Sequence, residues 1–309
     1  MTTVFRRGSR SAAFSLDGAS VAVTGGANGI GRAISTHFAR AGARVAIGDI
    51  DVDAARALAD ELGNGAVGIA LDVSDEASFT AFLDAAEKAN GPLAVLVNNA
   101  GIDWMGPFHT ETNEVSRRQV AVNLIGPIVG SRLALERMLP RRTGHLVNVA
   151  SAAGRIPQPG SAVYTATKHG VVGLTECLRL EYRDSGVRFS VLHPGYIPTG
   201  MTQGTHRPSR LIPAATPDDC ARAVVDAVRH NRFEVWSPAG QWVSIKLGHL
   251  VGRAVRERVL MATGIGRIVD DMDQTARRDY NERAFGGKGS AAPVSVITPE
   301  TRKNNRRRR

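Results

Sequence analysis

The sequence predicts an α/β fold in which helices cover both faces of a parallel β-sheet, a doubly wound arrangement. Short, continuously apolar segments of strand length alternate with longer segments of helical spacing, from about Ala19 to Trp236. Continuous apolar strands are typical of a sheet that is buried on both faces. A glycine-rich turn joins the first strand to the first helix at residues 25–31. Together these observations predict a Rossmann-like domain.

The predicted elements follow each other in a regular order. Strands are predicted at residues 19–24, 44–47, 66–71, 94–97, 145–149, 187–192 and 233–236. Helices are predicted at residues 29–41, 52–62, 76–89, 113–138, 161–183 and 217–230. Strands that alternate with helices of this length indicate parallel pairing.

We predict a single catalytic domain with flanking segments. The domain spans residues 16–240, and a helical extension spans residues 241–285. A flexible basic N-terminus is predicted at 1–15 and a disordered basic tail, rich in Gly, Ala, Ser, Pro and Arg, at 286–309. A composition of 43% hydrophobic and 22% charged residues is typical of a core-forming protein.

The net charge of +10 is concentrated at the two ends of the chain. Residues 1–10 hold three arginines and no acid, and residues 286–309 hold seven basic residues against one glutamate. The domain itself is therefore nearly neutral, and we expect no nucleic-acid partner. The run Arg306–Arg309 leaves nucleic-acid binding open as an alternative to a solvated tail.

Cysteine usage and the N-terminus predict a cytoplasmic protein. Cys177 and Cys220 lie far apart without CxxC spacing or a histidine cluster, so neither a disulfide nor a metal site is expected. Arg6 and Arg7 are followed by polar residues rather than by the apolar core of an export signal. No apolar stretch is long enough to predict a membrane span.

The turn TGGANGIG at residues 24–31 predicts a phosphate site. Glycines let the backbone approach a pyrophosphate closely, and the following helix offers free N–H groups at the positive end of its dipole. The spacing is Gly-x-x-x-Gly-x-Gly, and Arg32-Ala33 stands where a Walker loop needs Lys followed by Ser or Thr. The alternative is a tight turn that packs well and binds nothing.

Asp49 predicts the choice of cofactor. It ends the second predicted strand, 18 residues after Gly31, where an acid accepts hydrogen bonds from the adenosine ribose. A carboxylate there repels a 2′-phosphate, and Ile50 and Asp51 follow it instead of a cation. We therefore predict NAD rather than NADP, although Asp49 could alternatively cap the next turn.

Tyr164 and Lys168 are the candidate proton-transfer pair. They lie four residues apart on a predicted helix and so share one face. A free tyrosine, with a pKa of about 10, is a poor base near neutral pH, and an adjacent ammonium stabilises its phenolate. A YxxxK pair alone is often an ordinary surface pair.

Other polar groups are predicted at the same edge of the sheet. Ser151 follows the fifth strand, Asn98 and Asn99 follow the fourth, and Pro194-Gly195 follows the sixth. Ligands of open α/β sheets bind at the carboxyl ends of the strands. Several polar groups at that edge favour a functional site over an isolated surface pair.

These motifs, in this order and spacing, resemble the short-chain dehydrogenase/reductase family, in the subgroup with a TGxxxGxG loop and a YxxxK site. The resemblance covers residues 16–240. It implies that Ser151 hydrogen-bonds the substrate oxygen and that Tyr164 exchanges the proton. Lys168 would hold the nicotinamide ribose and lower the pKa of Tyr164, and Asn123 would support a water that links Lys168 to solvent.

The resemblance also implies the cofactor-binding set. Asp72 would contact the adenine, Asn99 the adenosine side, and Ile197 and Thr199 the carboxamide. The full predicted set is Gly25, Ala27, Asn28, Gly29, Ile30, Gly31, Asp49, Asp72, Val73, Asn99, Tyr164, Lys168, Ile197 and Thr199. A redox-silent NAD-binding protein is the alternative, and the presence of Ser151, Tyr164 and Lys168 disfavours it.

The predicted substrate is a small lipophilic alcohol or ketone. The segments expected to wall the site contain few charges and offer Trp104, Met105, Phe108, Ile156, Pro157, Tyr196, Met201, Leu211 and Ile212. The alternative is that these residues only pack loops.

Helices 113–138 and 161–183 have broad apolar faces, and in the family the equivalent helices pair between subunits, so we expect a homodimer or homotetramer.

Residues 241–269 combine apolar residues with Lys246, Arg253, Arg256 and Arg258. A basic amphipathic helix can lie on an anionic membrane surface. A helix that covers the active-site mouth or a subunit interface is the favoured alternative, and then deletion of residues 241–285 should damage folding or activity.

Three side chains outside the site are interpreted as structural. We expect His145 and His193 to be core histidines and Cys177 to be a packing residue.

Overall fold

A seven-stranded, entirely parallel sheet forms the centre of the computed structural model, which describes residues 14–205, 214–265, 268–269 and 272–286. The strand order is β3-β2-β1-β4-β5-β6-β7, and the predicted fold class is confirmed. The strands are β1 (Ser20–Thr24), β2 (Arg44–Asp49), β3 (Val67–Ala70), β4 (Leu93–Asn98), β5 (Gly144–Val149), β6 (Val187–Pro194) and β7 (Glu234–Ser237). The order reverses between β1 and β4, which is where doubly wound sheets open a ligand crevice.

Helices cover both faces of the sheet. They are α1 (Gly29–Arg40), α2 (Val52–Leu62), α3 (Glu76–Asn90), α4 (Asn113–Val120), α5 (Gly126–Met138), α6 (Ala162–Glu181), α7 (Pro217–His230), α8 (Gln241–Leu250), α9 (Arg253–Ala262) and α10 (Gln274–Phe285). Val21 and Val23 of β1 face the layer that contains α1 and α7, and Ala22 faces the opposite layer. Phe38 on one side and Phe79 on the other are fully buried, and each such side chain stabilises the fold by roughly 1.5–3 kcal/mol.

The single helix predicted at 113–138 is divided. One π-helical turn, Ala121–Ile125, separates α4 from α5. Pro127 has no N–H and cannot donate to the carbonyl of Asn123 four residues before it, so a regular α-helical ladder is impossible here. The division places Asn123 in the irregular turn.

The C-terminal extension contains three described helices with different environments. The basic segment at 241–269 holds two of them, α8 and α9, separated by Val251 and Gly252. No residue of α9 is buried, whereas α10 buries Arg277 and Tyr280 against the domain. The predicted N-terminal segment to residue 13 and the tail from residue 287 lie outside the described residues. Within the described residues, no helix has the length and apolarity needed to cross a membrane.

The burial of His145 and His193 agrees with their interpretation as core histidines, whereas the exposure of Cys177 disagrees with its interpretation as a packing residue. His145 is fully buried with its Nε2 2.8 Å from Ser190 Oγ, and burial lowers its pKa to about 3. His193 is fully buried and stacks on Trp236 with ring centroids 4.2 Å apart. Cys177 is exposed because its position on α6 faces away from the sheet.

Candidate active site

A cavity of about 750 Å³ opens along the carboxyl edge of the sheet, between β1 and β4. The phosphate loop forms its floor through Gly25, Asn28, Gly29, Ile30 and Gly31. Loops that follow the other central strands form its sides, and α10 covers one end through Tyr280, Arg283 and Ala284.

The phosphate loop requires glycine at the predicted positions. Gly25 and Gly29 have φ of +59° and +52°, which favour glycine. A Cβ on Gly31 would lie 1.9 Å from the carbonyl oxygen of Gly25. Asn28 caps α1 without a side-chain hydrogen bond, and no acid lies in its first turn. The open N-terminus of α1 therefore presents N–H groups and a positive dipole end to the cavity, as an anion requires.

Asp49 lines the cavity beside Ile50 and Asp51. Its Oδ2 accepts a hydrogen bond from the Ala27 N–H at 3.0 Å, and its Oδ1 accepts one from the Asp51 N–H at 3.2 Å. Burial raises the pKa of Asp49 above its ordinary value, against the lowering effect of these bonds. Ala27 does not line the cavity, and its N–H serves to tie the loop to β2. Ile50 is 69% exposed, so the position beside Asp49 offers no cation to a 2′-phosphate.

The part of the cavity that follows β3 contains a residue that sequence reasoning missed, Arg118 of α4. Asp72 and Val73 line the cavity beside it, and their contacts with the cofactor stay predictions. Arg118 donates to Asp72 Oδ2 at 3.3 Å and to Ser74 Oγ at 2.7 Å. Burial acts to raise the pKa of Asp72, but hydrogen bonds from Ser74 and the charge of Arg118 outweigh it and lower that pKa. Asp72 is thereby held ionised and fixed in position.

Asn99 lines the cavity, but its side chain is engaged with the loop. Its Nδ2 donates to the carbonyl oxygens of Thr24 at 2.9 Å and Gly25 at 3.0 Å. Its backbone N–H donates to Thr24 Oγ1 at 3.0 Å. Asn99 therefore positions the phosphate loop, and its predicted contact with the adenosine side stays a prediction.

Tyr164, Lys168 and Ser151 meet at the centre of the cavity. Tyr164 and Lys168 share one face of α6 as predicted, and the Lys168 Nζ lies 5.6 Å from the centroid of the Tyr164 ring. Lys168 Nζ also donates to the carbonyl of Val149 at 2.9 Å, which anchors it to the end of β5. Ser151 follows β5, and its Oγ accepts a hydrogen bond from the Ala153 N–H at 3.1 Å. Hydrogen bonding to Ser151 acts to lower the pKa of Tyr164.

Asn123 lies beside this group but outside the cavity wall. Its Oδ1 accepts from the Ile102 N–H at 2.8 Å, and its Nδ2 donates to the Ile102 carbonyl at 2.7 Å. The oxygen and the nitrogen of the Asn123 side chain thus both fix the position of the segment after β4. A Cβ on Gly101 would lie 3.3 Å from Asn123 Oδ1 and 3.5 Å from Lys168 Nζ. Because Gly101 has no side chain, Asn123 and Lys168 can both lie close to the backbone there. The proposed water next to Asn123 stays a prediction.

The segment after β6 forms part of the cavity wall. Ile197 and Thr199 line the cavity, and their contact with the carboxamide stays a prediction. Thr202 Oγ1 accepts from the Thr199 N–H at 3.0 Å and so fixes the turn that follows. A Cβ on Gly29 would meet Thr199 Cγ2 at 3.4 Å, so this segment reaches over the phosphate loop.

A buried carboxylate, Asp103, is the second functional residue that sequence reasoning missed. It is 2% exposed, and its Oδ2 accepts a hydrogen bond from Ser161 Oγ at 3.3 Å. Its Oδ1 has no hydrogen-bond partner within the described parts of the chain. Burial raises the pKa of Asp103 to about 7 against the charge of Arg277. A single acid in an otherwise apolar loop gave no signal in the sequence.

Arg277 and Tyr280 of α10 hold the loop that carries Asp103. Arg277 is 1% exposed and donates to the main-chain carbonyls of Asp103 and Met201. The Asp103 N–H donates to Tyr280 Oη at 2.9 Å. The predicted helical extension therefore completes the substrate end of the cavity.

The electrostatics of Tyr164 correct one expectation. Burial and the charge of Asp103 raise the pKa of Tyr164 above its ordinary value instead of lowering it. Burial also lowers the pKa of Lys168 to about 8, and Asp103 opposes that change. Desolvation of the phenolate thus outweighs the hydrogen bond with Ser151, which lowers this pKa.

The predicted apolar wall is only partly present. Met105, Ile156, Tyr196 and Met201 line the cavity. Trp104 instead packs into a small core with Val115, Tyr280 and Phe285. Phe108 is 66% exposed, Pro157 does not line the cavity, and Leu211 and Ile212 lie outside the described residues. The expectation of few charges is corrected by Asp103 and Arg283, which tertiary folding brings to this end.

Comparison with known proteins agrees with this geometry. The family model for short chain dehydrogenase matches residues 19–209. The chain belongs to the short chain dehydrogenase family. It is accordingly an oxidoreductase that acts on CH–OH groups.

Individual relatives and a solved structure are similar over much of the chain. A protein named inactive 2-(S)-hydroxypropyl-CoM dehydrogenase 2, from Xanthobacter autotrophicus, is 45% identical over 51% of this chain and 69% of its own length. The oxidoreductase UcpA of Escherichia coli is 34% identical over 77% of this chain and 92% of its own. A Burkholderia phymatum short chain dehydrogenase/reductase, solved in complex with NAD, has a TM-score of 0.70 and 29% identity, with 76% of this chain and 94% of that chain covered.

An electrostatic prediction concerns Asp103. Above pH 7 this carboxyl is ionised and opposes the phenolate of Tyr164. We expect Asp103→Asn to lower the pKa of Tyr164, so that the rise of the oxidation rate with pH moves to lower pH by about one unit. The pH profile of kcat/KM for an alcohol measures this shift. Asp60→Asn is the control, because Asp60 is an exposed acid of α2 that does not line the cavity, and an unshifted profile in Asp103→Asn would contradict the assignment.

Proposed function

We propose that this protein interconverts an alcohol, secondary or primary, and the corresponding carbonyl compound, with NAD as the hydride carrier and Tyr164 as the general acid/base. The observation that carries the proposal is the grouping of Ser151, Tyr164 and Lys168 at the centre of one cavity whose floor is a glycine phosphate loop. The open α1 N-terminus and the glycine positions fit a dinucleotide pyrophosphate. NAD would supply or accept the hydride at its nicotinamide ring.

Each residue of the central group has a separable task. In oxidation, the Tyr164 oxygen takes the proton of the substrate hydroxyl, and in reduction it returns that proton. Ser151 donates a hydrogen bond to the substrate oxygen and stabilises the charge that develops there. Lys168 is anchored on the Val149 carbonyl and, below its pKa of about 8, supplies positive charge beside Tyr164. Because burial raises the pKa of Tyr164, we expect the oxidation rate to rise with pH into the alkaline range.

The preferred cofactor follows from Asp49. Its carboxylate would accept hydrogen bonds from ribose hydroxyls and repel a 2′-phosphate, and Ile50 brings no compensating cation. We expect NAD to bind at least about tenfold more tightly than NADP, measured by calorimetry or fluorescence titration. Asp49→Ala combined with Ile50→Arg should move the preference toward NADP.

The matched control for cofactor choice is Asp53→Ala. Asp53 is an exposed acid in the first turn of α2 and pairs with Arg56. We expect this variant to keep the native preference. Equal affinity of the native protein for NAD and NADP would rule out the assignment of Asp49.

The substrate that the cavity favours is a lipophilic alcohol or ketone. Met105, Ile156 and Met201 provide apolar walls near Ser151 and Tyr164. A panel of alcohols and ketones with NAD and NADP, followed at the absorbance of reduced nicotinamide, tests the reaction. Turnover of an apolar alcohol is the expected result, and a complete lack of turnover across the panel would oppose the proposal.

A redox-silent NAD-binding protein is the second candidate, because one relative carries the word inactive in its name. Such a protein needs the phosphate loop and Asp49 but not the proton-transfer group. Here Ser151, Tyr164 and Lys168 line the same cavity, which favours catalysis. Tight NAD binding without turnover in the substrate panel would support the second candidate.

The assembly that we propose is a homodimer or homotetramer. Leu124, Ile128 and Leu174 of the predicted pairing helices are only half-buried in one chain, and Ile125 is 42% exposed. We expect light scattering at micromolar concentration to give the mass of two or four chains, and Ile125→Glu to reduce it. Phe108→Glu, a change of an exposed phenylalanine outside both pairing helices, is the control. A monomer mass for the native protein would contradict this assembly.

A further inference from the structure

Large apolar side chains are exposed in one concentrated stretch. Among the described residues twelve large hydrophobic side chains are exposed, and eight of them belong to α8, α9 and the link between them. They are Trp242, Val243, Leu247, Leu250, Val251, Val255, Val259 and Met261. No residue of α9 is buried. A patch of this kind on a folded protein marks an interaction surface, and we call it the α8–α9 patch.

The charges of the α8–α9 patch are nearly all positive. Lys246, Arg253, Arg256 and Arg258 stand against a single acid, Glu257. Glu257 pairs with Arg253 at 2.7 Å, and the Lys246 Nζ lies 3.9 Å from Glu234 Oε2 of β7. Arg256 and Arg258 have no ion pair among the described residues, so the patch keeps a net positive charge. The Lys246 Nζ lies 5.2 Å from the centroid of the Trp242 ring. Apolar side chains, a tryptophan and a surplus of cations are what a helix needs at the interface of an anionic bilayer.

We propose that the α8–α9 patch docks this protein on the surface of an anionic membrane. A second copy of the chain fits less well, because a two-fold contact would place two patches of the same net positive charge against each other. The sequence beyond residue 286 adds seven more basic residues and one acid. Their charge favours the same anionic surface.

The α8–α9 patch is attached to the substrate end of the cavity. Gln241, the first residue of α8, lines the cavity, and so does Ile265, which follows α9 closely. Ile245 of α8 is buried in a small cluster with Ala152, Trp236 and Ile156. Membrane docking would therefore set the cavity next to the lipid, where an apolar alcohol dissolves. This consequence rests on the proposed function, whereas the docking itself does not.

Vesicle sedimentation of the full chain tests the docking. The probes are vesicles of phosphatidylcholine alone and of equal parts phosphatidylcholine and phosphatidylglycerol. We expect the native protein to sediment with the anionic vesicles only, and less at high salt. Trp242→Ser with Leu247→Ser, and separately Arg256→Gln with Arg258→Gln, should each weaken the partitioning at least about tenfold.

Matched controls change the same residue types elsewhere on the surface. Phe108→Ser with Leu180→Ser removes two side chains that are each 66% exposed, and Arg117→Gln with Arg183→Gln removes two exposed arginines. Both control variants should sediment as the native protein does. Circular dichroism, together with turnover of a water-soluble alcohol, confirms folding without vesicles.

The outcomes separate the occupants of the α8–α9 patch. A native protein that stays in the supernatant with anionic vesicles, or patch variants that bind like the native chain, would overturn the proposal. Dissociation of an oligomer by the patch variants in light scattering would show a contact between copies instead, and would also overturn it. Vesicle binding is measured without turnover, so its result is independent of whether the protein oxidises any alcohol.

Discussion

Tyr164→Phe is expected to lower turnover at least about hundredfold, the usual scale for the loss of general acid/base catalysis. The substitution keeps the ring that α6 presents to the cavity and removes only the hydroxyl to which we assign the proton exchange. NAD binding should be nearly unchanged, because the phosphate loop and Asp49 are untouched. Steady-state kinetics on the best substrate of the alcohol panel, with a calorimetric titration of NAD, measure both quantities.

Tyr182, which directly follows the end of α6, offers a matched control for Tyr164→Phe. Its ring lies outside the cavity and stacks on Phe189 with ring centroids 6.3 Å apart. Tyr182→Phe should keep native turnover. Near-native turnover in Tyr164→Phe on any good substrate would require the proposed mechanism to be abandoned, whatever the fold.

Lys168→Met is expected to damage turnover and cofactor binding together. In the proposed complex Lys168 donates hydrogen bonds to the nicotinamide ribose and, below its pKa of about 8, supplies positive charge beside Tyr164. A hydrogen bond to a charged group contributes roughly 1.5–3 kcal/mol, so we expect NAD affinity to fall at least about tenfold. Turnover should fall by a further factor of about a hundred. Parallel kinetics and titrations distinguish this variant from Tyr164→Phe, which should lose turnover alone.

If Lys168→Met changed only turnover or only NAD affinity, one of the two roles proposed for Lys168 would have to be withdrawn. If Lys168→Met kept native NAD affinity while turnover fell, Lys168 would act only on the phenolate. If it lost affinity but kept turnover at saturating NAD, it would serve binding alone. The anchoring of Lys168 Nζ on the Val149 carbonyl at 2.9 Å makes the joint effect the expected one, because that bond fixes the ammonium between its two proposed partners.

Local spacing was sufficient to predict the centre of the cavity. Gly25, Gly29 and Gly31 are required by a turn whose residues are neighbours in sequence, and Tyr164 and Lys168 share a helix face because they are four residues apart. The parallel topology brings Ser151 and Thr199 to the same edge, since strand ends converge there. Periodicity over many residues likewise predicted the strands and the layers of helices.

Two of the sequence expectations that the structure corrects have clear physical reasons. The sequence predicts one helix at 113–138, but Pro127 has no N–H to donate, and a π-helical turn divides the helix there. The pKa of Tyr164 was expected to fall because Lys168 is near in sequence. Its direction depends on the depth of burial and on Asp103, neither of which spacing reveals.

The sequence alone determined the fold class, the glycine turn at residues 25–31, the place of Asp49 at the end of β2 and the shared helix face of Tyr164 and Lys168, because each depends on contacts between near neighbours or on regular strand order. Only the tertiary structure decided the end of the cavity that α10 covers. Asp103 meets Tyr280 across 177 residues of sequence and Arg277 across 174, and Arg118 reaches Asp72 across 46. Such contacts depend on where α10 and α4 pack, and packing is a property of the whole chain that no local pattern encodes.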